Sequence, residues 1–174
     1  MRILPVTPDL IPALSHLASE TFTETFGFLY PPEDLAAFLQ TSYALENLVA
    51  EVANTKDFWR IVLDDEDLAV GYLQCGPVGL PHVEANAQTQ GELKRIYVRA
   101  SHQGKGLGKT LMALALDHLK MANGAAPQWI GVWSQNHKAQ ALYASYGFEK
   151  VGEYQFKVGK TLDDEFILRR VPAL

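Results

Sequence analysis

The chain has 174 residues, 48% of them hydrophobic and 20% charged, with a formal net charge of -5 and a single cysteine, Cys75. That length suits one domain able to bury a core unaided, and the composition excludes a disordered chain. A pI near 5.5 argues against a broad nucleic-acid surface, although Lys94, Arg95, Arg99, Lys105 and Lys109 can form a local basic patch. Cys75 alone makes no internal disulfide, and no apolar run approaches the roughly 20 residues that span a bilayer. The opening "MRILPVTPDL" has neither a long apolar core nor a cleavage pattern, so neither secretion nor membrane attachment is expected and a cytoplasmic location is.

Along the chain, "RILPVT" predicts a short strand, and "PDLIPALSHLASETFTETF" a helix with Leu10, Leu14, Leu17, Ala18 and Phe22 on one face. A turn over "GFLYPPED" precedes a second helical stretch, "LAAFLQTSYALENLVAEVAN", with a break expected near Thr41 to Tyr43. "DFWRIVLD" and "DLAVGYLQCG" flank an acidic turn and read as a hairpin, after which Pro77 to Gly91 shows no periodicity and reads as a loop. "ELKRIYVRA" predicts a strand that runs into "SHQGKGLGKTLM", and Leu107, Leu111, Leu114, Ala115, Leu119 and Ala122 mark one face of the following helix. "QWIGVWS" is a strand, "NHKAQALYASYGF" a helix closed by Gly147, and "GEYQFKV" and "EFILRRV" are two last strands around the turn "GKTLDD". This order predicts an α/β fold with a mixed sheet of about seven strands and four or so helices, in a single domain covering residues 1 to 174.

The glycine-rich stretch asks which ligand it holds. Gly108, Lys109 and Thr110 match the end of a P-loop, but its first glycine falls on Gln103. The dinucleotide pattern fails too, because its third glycine falls on Lys109 when it starts at Gly104 and on Leu111 when it starts at Gly106. What remains is a strand feeding a glycine turn into a helix, whose first N–H groups are unpaired and attract an anion. Gly104, Gly106 and Gly108 keep side chains out of the way, and Lys105 and Lys109 supply positive charge.

"QGKGLG", Gln103 to Gly108, resembles the Q/R-x-x-G-x-G/A loop of the GNAT acetyltransferases, and "NHKAQALYASYGF" resembles that family's N-x-x-A-x-x-L-Y-x-x-x-G-F segment. The element order is similar over nearly the whole chain. "ETFTETF", "ELKRIYV", "GVW" and "DDEFILRR" further resemble the bacterial spermidine/spermine acetyltransferases of the PaiA type. The resemblance implies a GNAT fold, acetyl-coenzyme A as acetyl donor, and a pyrophosphate held by Gln103, Gly104, Lys105, Gly106, Leu107, Gly108 and Lys109. It implies further that the main chain of Ile96, Tyr97 and Val98 pairs with the pantetheine arm, that Asn136 and Ala139 border that arm, and that Tyr143 protonates the departing sulfur. The Tyr97 side chain has no role separable from packing.

Acetyl transfer to an amine also needs a proton acceptor, since an alkylamine with a pKa near ~10.4 is less than about 1% neutral at pH 7. Glu92 opens the strand before the loop, where one branch of the family carries its general base; a second base position known in other branches falls on Gly131, which cannot titrate, and a water relay is the alternative. Simple alternation puts Glu92, Lys94, Ile96 and Val98 on one face of that strand and Leu93, Arg95 and Tyr97 on the other. The histidines and Cys75 form no ligand-spaced cluster, so no metal is expected.

Glu20, Glu24, Tyr30, Asp163, Asp164 and Glu165 would suit a cationic acceptor, and the resemblance makes a polyamine the leading one. Protein amino-terminal or lysine acetylation is the alternative enzyme reading, and a non-catalytic acyl-coenzyme A sensor the alternative of another class. Dimers are frequent among similar proteins, which makes a homodimer an expected assembly, although no patch in the sequence points to one.

Overall fold

The computed structural model describes residues 1–172. Its strands are β1 (Arg2–Pro5), β2 (Phe58–Leu63), β3 (Ala69–Pro77), β4 (Gly91–Val98), β5 (Gln128–Trp133), β6 (Glu149–Val158) and β7 (Thr161–Arg170). Its helices are α1 (Ile11–Phe26), α2 (Pro32–Tyr43), α3 (Leu45–Ala53), α4 (Leu107–Asn123) and α5 (His137–Ser145). The strands form one open sheet in the order β1-β2-β3-β4-β5-β7-β6, antiparallel throughout except where β5 runs parallel to β4. This is the mixed, mostly antiparallel sheet that the sequence predicts. No helix among the described residues is long and apolar enough to cross a membrane.

Each helix is where it is because its apolar stripe has a sheet face to cover. Leu111, Ala115 and Leu119 recur every fourth residue along α4 and pack with Met112 on Leu73, Leu93 and Ile130. On the opposite face, Leu14 and Leu17 of α1 and Leu48 of α3 cover Trp59, Ile61 and Tyr72. A third, smaller cluster of Val78, Leu80, Trp129 and Ile167 lies under the loop between β3 and β4. Parallel strands need a crossover, and α4 supplies it between β4 and β5.

The expected break in the second helical stretch falls at Ala44, between α2 and α3. Three local expectations are corrected. Helix α2 begins at Pro32, inside the segment expected to be a turn, because proline is tolerated at the first helical position and Glu33 and Asp34 suit the positive end of the helix. The last hairpin turns on Gly159 and Lys160 alone, with Gly159 at φ 58° and the Lys160 N–H donating to Asp34 Oδ2 at 3.1 Å, so Thr161 to Asp164 are strand.

The third correction matters most. Opposite β4, Gln74 pairs with Arg95 but the next residue, Cys75, pairs with Leu93, which leaves Lys94 as an extra residue in a β-bulge. Its ammonium reaches Asp57 at 3.3 Å, and Asp57 also accepts from Gln74 Nε2 at 2.8 Å. The bulge resets the alternation. Ile96 and Val98 join Leu93 in the core under α4, whereas Tyr97 packs into the core under α1 and stacks on Tyr72 at 5.5 Å.

Leu111 is fully buried at the centre of the α4 interface. Leu111→Ala is expected to cost roughly 2 to 5 kcal/mol, read as a lower urea midpoint at unchanged slope; a loss well below 1 kcal/mol would contradict this account of the core.

Candidate active site

Strands β4 and β5 pair at only two positions, Gly91 with Gln128 and Glu92 with Trp129. Beyond them β4 stays on β3 and β5 stays on β7, so the facing edges of Arg95 to Val98 and of Ile130 to Trp133 part. The gap opens a cavity of about 1420 Å³ that runs from the glycine loop to the aromatic face under α1 and α2. Its wall includes main-chain donors and acceptors that no neighbouring strand satisfies.

At one end lies the turn into α4. Gly104 and Gly106 have φ of 75° and 85°, a region that L side chains rarely adopt, and Gly106 occupies the N-cap without any side-chain cap bond. The helix therefore starts with free N–H groups and its positive dipole end facing outward. A Cβ added at Gly108 would meet nothing within 4 Å, and its φ is ordinary, so nothing in the chain itself demands glycine there.

The loop is held on both sides. Arg99 pairs with Glu20 at 2.6 Å and the Ala100 N–H donates to Glu24 at 3.0 Å, both reaching to α1. Gln103 donates to the Val98 carbonyl at 3.0 Å and accepts from Lys138 Nζ at 2.9 Å, bridging β4 to α5.

Helix α5 is fixed to the end of β5. The Asn136 N–H donates to the Trp133 carbonyl at 2.9 Å, and Gln140 donates to the carbonyls of Trp133 and Ser134 at 3.1 and 2.9 Å. Asn136 Oδ1 caps the helix by accepting from the Ala139 N–H at 3.1 Å, which leaves its amide hydrogens for the cavity. Tyr143 is 7% exposed and lines the same cavity. Burial, with the charge of Glu165 nearby, pushes its hydroxyl up to about 12, so it holds its proton at neutral pH.

Two carboxylates, Glu92 buried and Glu165 half-buried, line the middle of the cavity. Glu92 is 9% exposed; burial pushes it up, opposed by the N–H groups of Gly79 and Leu80 and by Lys94, and its Oε2 accepts from Gly79 at 2.8 Å. Burial also pushes Glu165 up, against the hydrogen bond donated by Tyr154. Asp163, two residues before it on the same face of β7, accepts from Tyr30. Phe22, Phe26, Phe38, Tyr43, Trp133 and Phe156 complete an aromatic wall.

Of the residues expected to bind the donor, Ile96, Tyr97, Val98, Gln103, Gly104, Gly108, Asn136, Ala139 and Tyr143 line the cavity. Lys105, Gly106 and Lys109 stand exposed at its rim, and the Leu107 side chain turns into the core. Glu92 lies in the cavity, but the bulge separates it from the face of Ile96 and Val98 on which alternation had placed it. Of the acids proposed for the acceptor, Glu20 and Glu24 are spent on Arg99 and Ala100, and Asp164 is exposed on the other face of β7. Three of the five cations of the basic patch are ion-paired, Lys94 to Asp57, Arg95 to Glu51 and Arg99 to Glu20. Lys138, Trp133 and Tyr154 went unnoticed in the sequence; Asp163 and Glu165 did not, and alternation along β7 would have set them apart from Asp164 had the turn been placed at Gly159.

Known proteins share this fold. The family model described as acetyltransferase (GNAT) family matches residues 11–148. An uncharacterized N-acetyltransferase of Lactobacillus delbrueckii subsp. lactis is 31% identical over 170 residues, which is 98% of this chain and 96% of the relative. The spermine/spermidine N(1)-acetyltransferase of Bacillus subtilis is 30% identical over 73 residues, 42% of this chain and 48% of that protein. The PaiA N-acetyltransferase of Thermoplasma acidophilum, solved in complex with coenzyme A, superposes with a TM-score of 0.75 at 19% identity, covering 99% of this chain and 100% of the other.

Gly108→Ala tests the anion cradle, because the added methyl clashes with nothing in the protein. Thermal stability should hold or rise, since alanine is the better helix former. Affinity for acetyl-coenzyme A should drop roughly tenfold or more through loss of charge-assisted hydrogen bonds, measured by calorimetry; unchanged affinity would place the diphosphate elsewhere.

Proposed function

The chain belongs to the GNAT family and is an acetyl-coenzyme A-dependent N-acetyltransferase, and from that premise we propose that, as a single cytoplasmic domain, it acetylates a polyamine such as spermidine or spermine. The observation that carries the acceptor is the pair of hydroxyl-bonded carboxylates on one face of β7, Tyr30 with Asp163 and Tyr154 with Glu165, inside an aromatic wall. Carboxylates two strand residues apart stand about 7 Å from each other, a spacing that suits successive ammonium groups on a flexible chain. Aromatic faces attract the same cations. The partial likeness to a spermine/spermidine acetyltransferase points the same way.

In this reading the amides from Gln103 to Lys109 hold the diphosphate, with Lys105, Lys109 and Lys138 screening its charge. The main chain of Ile96, Tyr97 and Val98 takes the place of a strand partner for the pantetheine amides, and one N–H there polarises the acetyl carbonyl. Asn136 and Ala139 border the arm. Tyr143 gives its proton to the leaving thiolate. The ammonium of the acceptor must lose a proton to a carboxylate of the cavity, Glu92 or Glu165, directly or through water.

An amine panel of spermidine, spermine, a peptide with a free amino terminus, a lysine peptide and an aminoglycoside, followed by thiol release, tests the acceptor. The highest kcat/KM is expected with a polyamine; a peptide well ahead of both polyamines would favour protein acetylation instead.

Tyr143→Phe should lower kcat by roughly 10²-fold or more while leaving acetyl-coenzyme A affinity unchanged. Since Tyr143 stays protonated to about 12, the wild-type rate should show no alkaline loss from this group across the neutral and mildly basic range. An undiminished kcat in the variant would remove Tyr143 from the chemistry.

A further inference from the structure

We propose that Glu165 of β7, rather than Glu92, is the group that takes the proton from the acceptor ammonium. The inference deepens the amine-acetyltransferase reading and rests on it. Three observations carry it.

Glu92 is committed elsewhere. It sits where β4 and β5 still pair, opposite Trp129, below the point at which the strands part. Its Oε2 accepts the N–H of Gly79 at 2.8 Å, so its carboxylate fastens the start of the loop that joins β3 to β4.

Glu165 stands at the parted end. Across β5 it pairs with Trp133, four residues beyond Trp129, on the stretch whose other edge faces the free edge of β4. Four strand residues correspond to about 13 Å along β5 between the levels of Trp129 and Trp133, and the Glu165 carboxylate lies beside Gly131, midway along that interval and ahead of the last paired position.

The middle of β5 makes room for it. A Cβ placed on Gly131 would come within 2.8 Å of the Tyr154 hydroxyl and 3.3 Å of Glu165 Oε2. A side chain at 131 would occupy the space now filled by the carboxylate from the neighbouring strand. Glycine at this position, which contributes no acid of its own, is what lets β7 contribute one.

The groups that face Glu165 are Tyr154 on β6, Glu92 and Tyr97 on β4, Tyr143 on α5, Tyr30 ahead of α2, and Asp163 on β7 itself. Tyr154 already occupies one lone pair of the carboxylate as a donor, and the others remain for the ammonium. In the step, an ammonium N–H bond breaks and the proton passes to the Glu165 carboxylate. The nitrogen lone pair then forms the N–C bond to the acetyl carbonyl carbon. The C–S bond breaks with its electrons on sulfur, and the sulfur takes the Tyr143 proton. The nitrogen, cationic once the N–C bond has formed, loses its second proton through water to the Tyr143 oxygen, and Glu165 returns its own to solvent, so one proton is released per amide formed.

Desolvation, with the charges of Asp163 and then Glu92, holds the carboxyl of Glu165 above its ordinary range, so wild-type kcat/KM should rise with pH as this group ionises. The test compares pH profiles of kcat/KM for wild type, Glu165→Gln, Tyr154→Phe and Glu92→Gln, using spermidine. Should spermidine not turn over, the best acceptor of the panel is used, so failure of the polyamine reading and failure of this one are separate results. Glu165→Gln is expected to lose roughly 10²-fold near pH 7, with the deficit narrowing as pH nears the amine's own pKa of ~10.4, while acetyl-coenzyme A affinity by calorimetry stays unchanged. Glu92→Gln retains the acidic limb. Tyr154→Phe removes a hydrogen bond that favours the charged carboxylate, so it should move that limb upward by roughly one pH unit; this variant also decides the matter if Glu165→Gln does not fold. A Glu165→Gln profile parallel to wild type, an unmoved limb in Tyr154→Phe, or a limb abolished by Glu92→Gln alone would each overturn the proposal.

Discussion

Two parallel strands that separate after two paired positions leave a row of main-chain groups with no partner, and the rest of the site is arranged around that row. Elsewhere in a sheet such groups are satisfied by the next strand. Here β5 keeps its bonds to β7 and β4 keeps its bonds to β3, while the extra residue Lys94 is drawn aside to Asp57 and turns the β4 backbone away. An extended ligand with amides of its own is the natural partner for the exposed edge. The free N–H groups of α4 begin where that edge ends, and Gln103 joins the two by holding the Val98 carbonyl.

Placing the opening between two helix-covered sheet faces gives the cavity two kinds of lining. Toward the glycine loop the walls are backbone and small residues, with lysines at the rim. Toward α1 and α2 they are rings and carboxylates. Burial raises both Glu92 and Glu165 and keeps Tyr143 protonated. The tyrosines of the acceptor side matter for the same reason: Tyr30 and Tyr154 donate hydrogen bonds to carboxylates that would otherwise be poorly solvated.

Charge is used sparingly outside the cavity. Arg95 lies against Glu51 and over the rings of Tyr43 and Trp59, and Arg99 against Glu20, so these cations join helices to the sheet. The acids of α1 that looked suited to an acceptor serve the opposite end of the molecule, where they anchor the glycine turn. A change at Glu20 or Glu24 therefore acts through the position of Ala100 and the loop that follows it.

What the sequence alone determined is what local rules govern. Alternating glycines at a strand-to-helix joint, the Asn136 to Tyr143 spacing on one helix, and the alternation of strand and helix periods are written within a few residues of each other, and all reappear in place. Only the tertiary structure decided which carboxylates meet. The bulge at Lys94 depends on Asp57, just ahead of β2, and on Gln74 of β3, and the facing of Asp163 and Glu165 depends on a turn at Gly159 and Lys160 fixed by Asp34, 126 residues from Lys160 in the chain. A one-residue shift in strand register reverses every side chain, and that register is set by contacts distant in sequence, which no local pattern encodes.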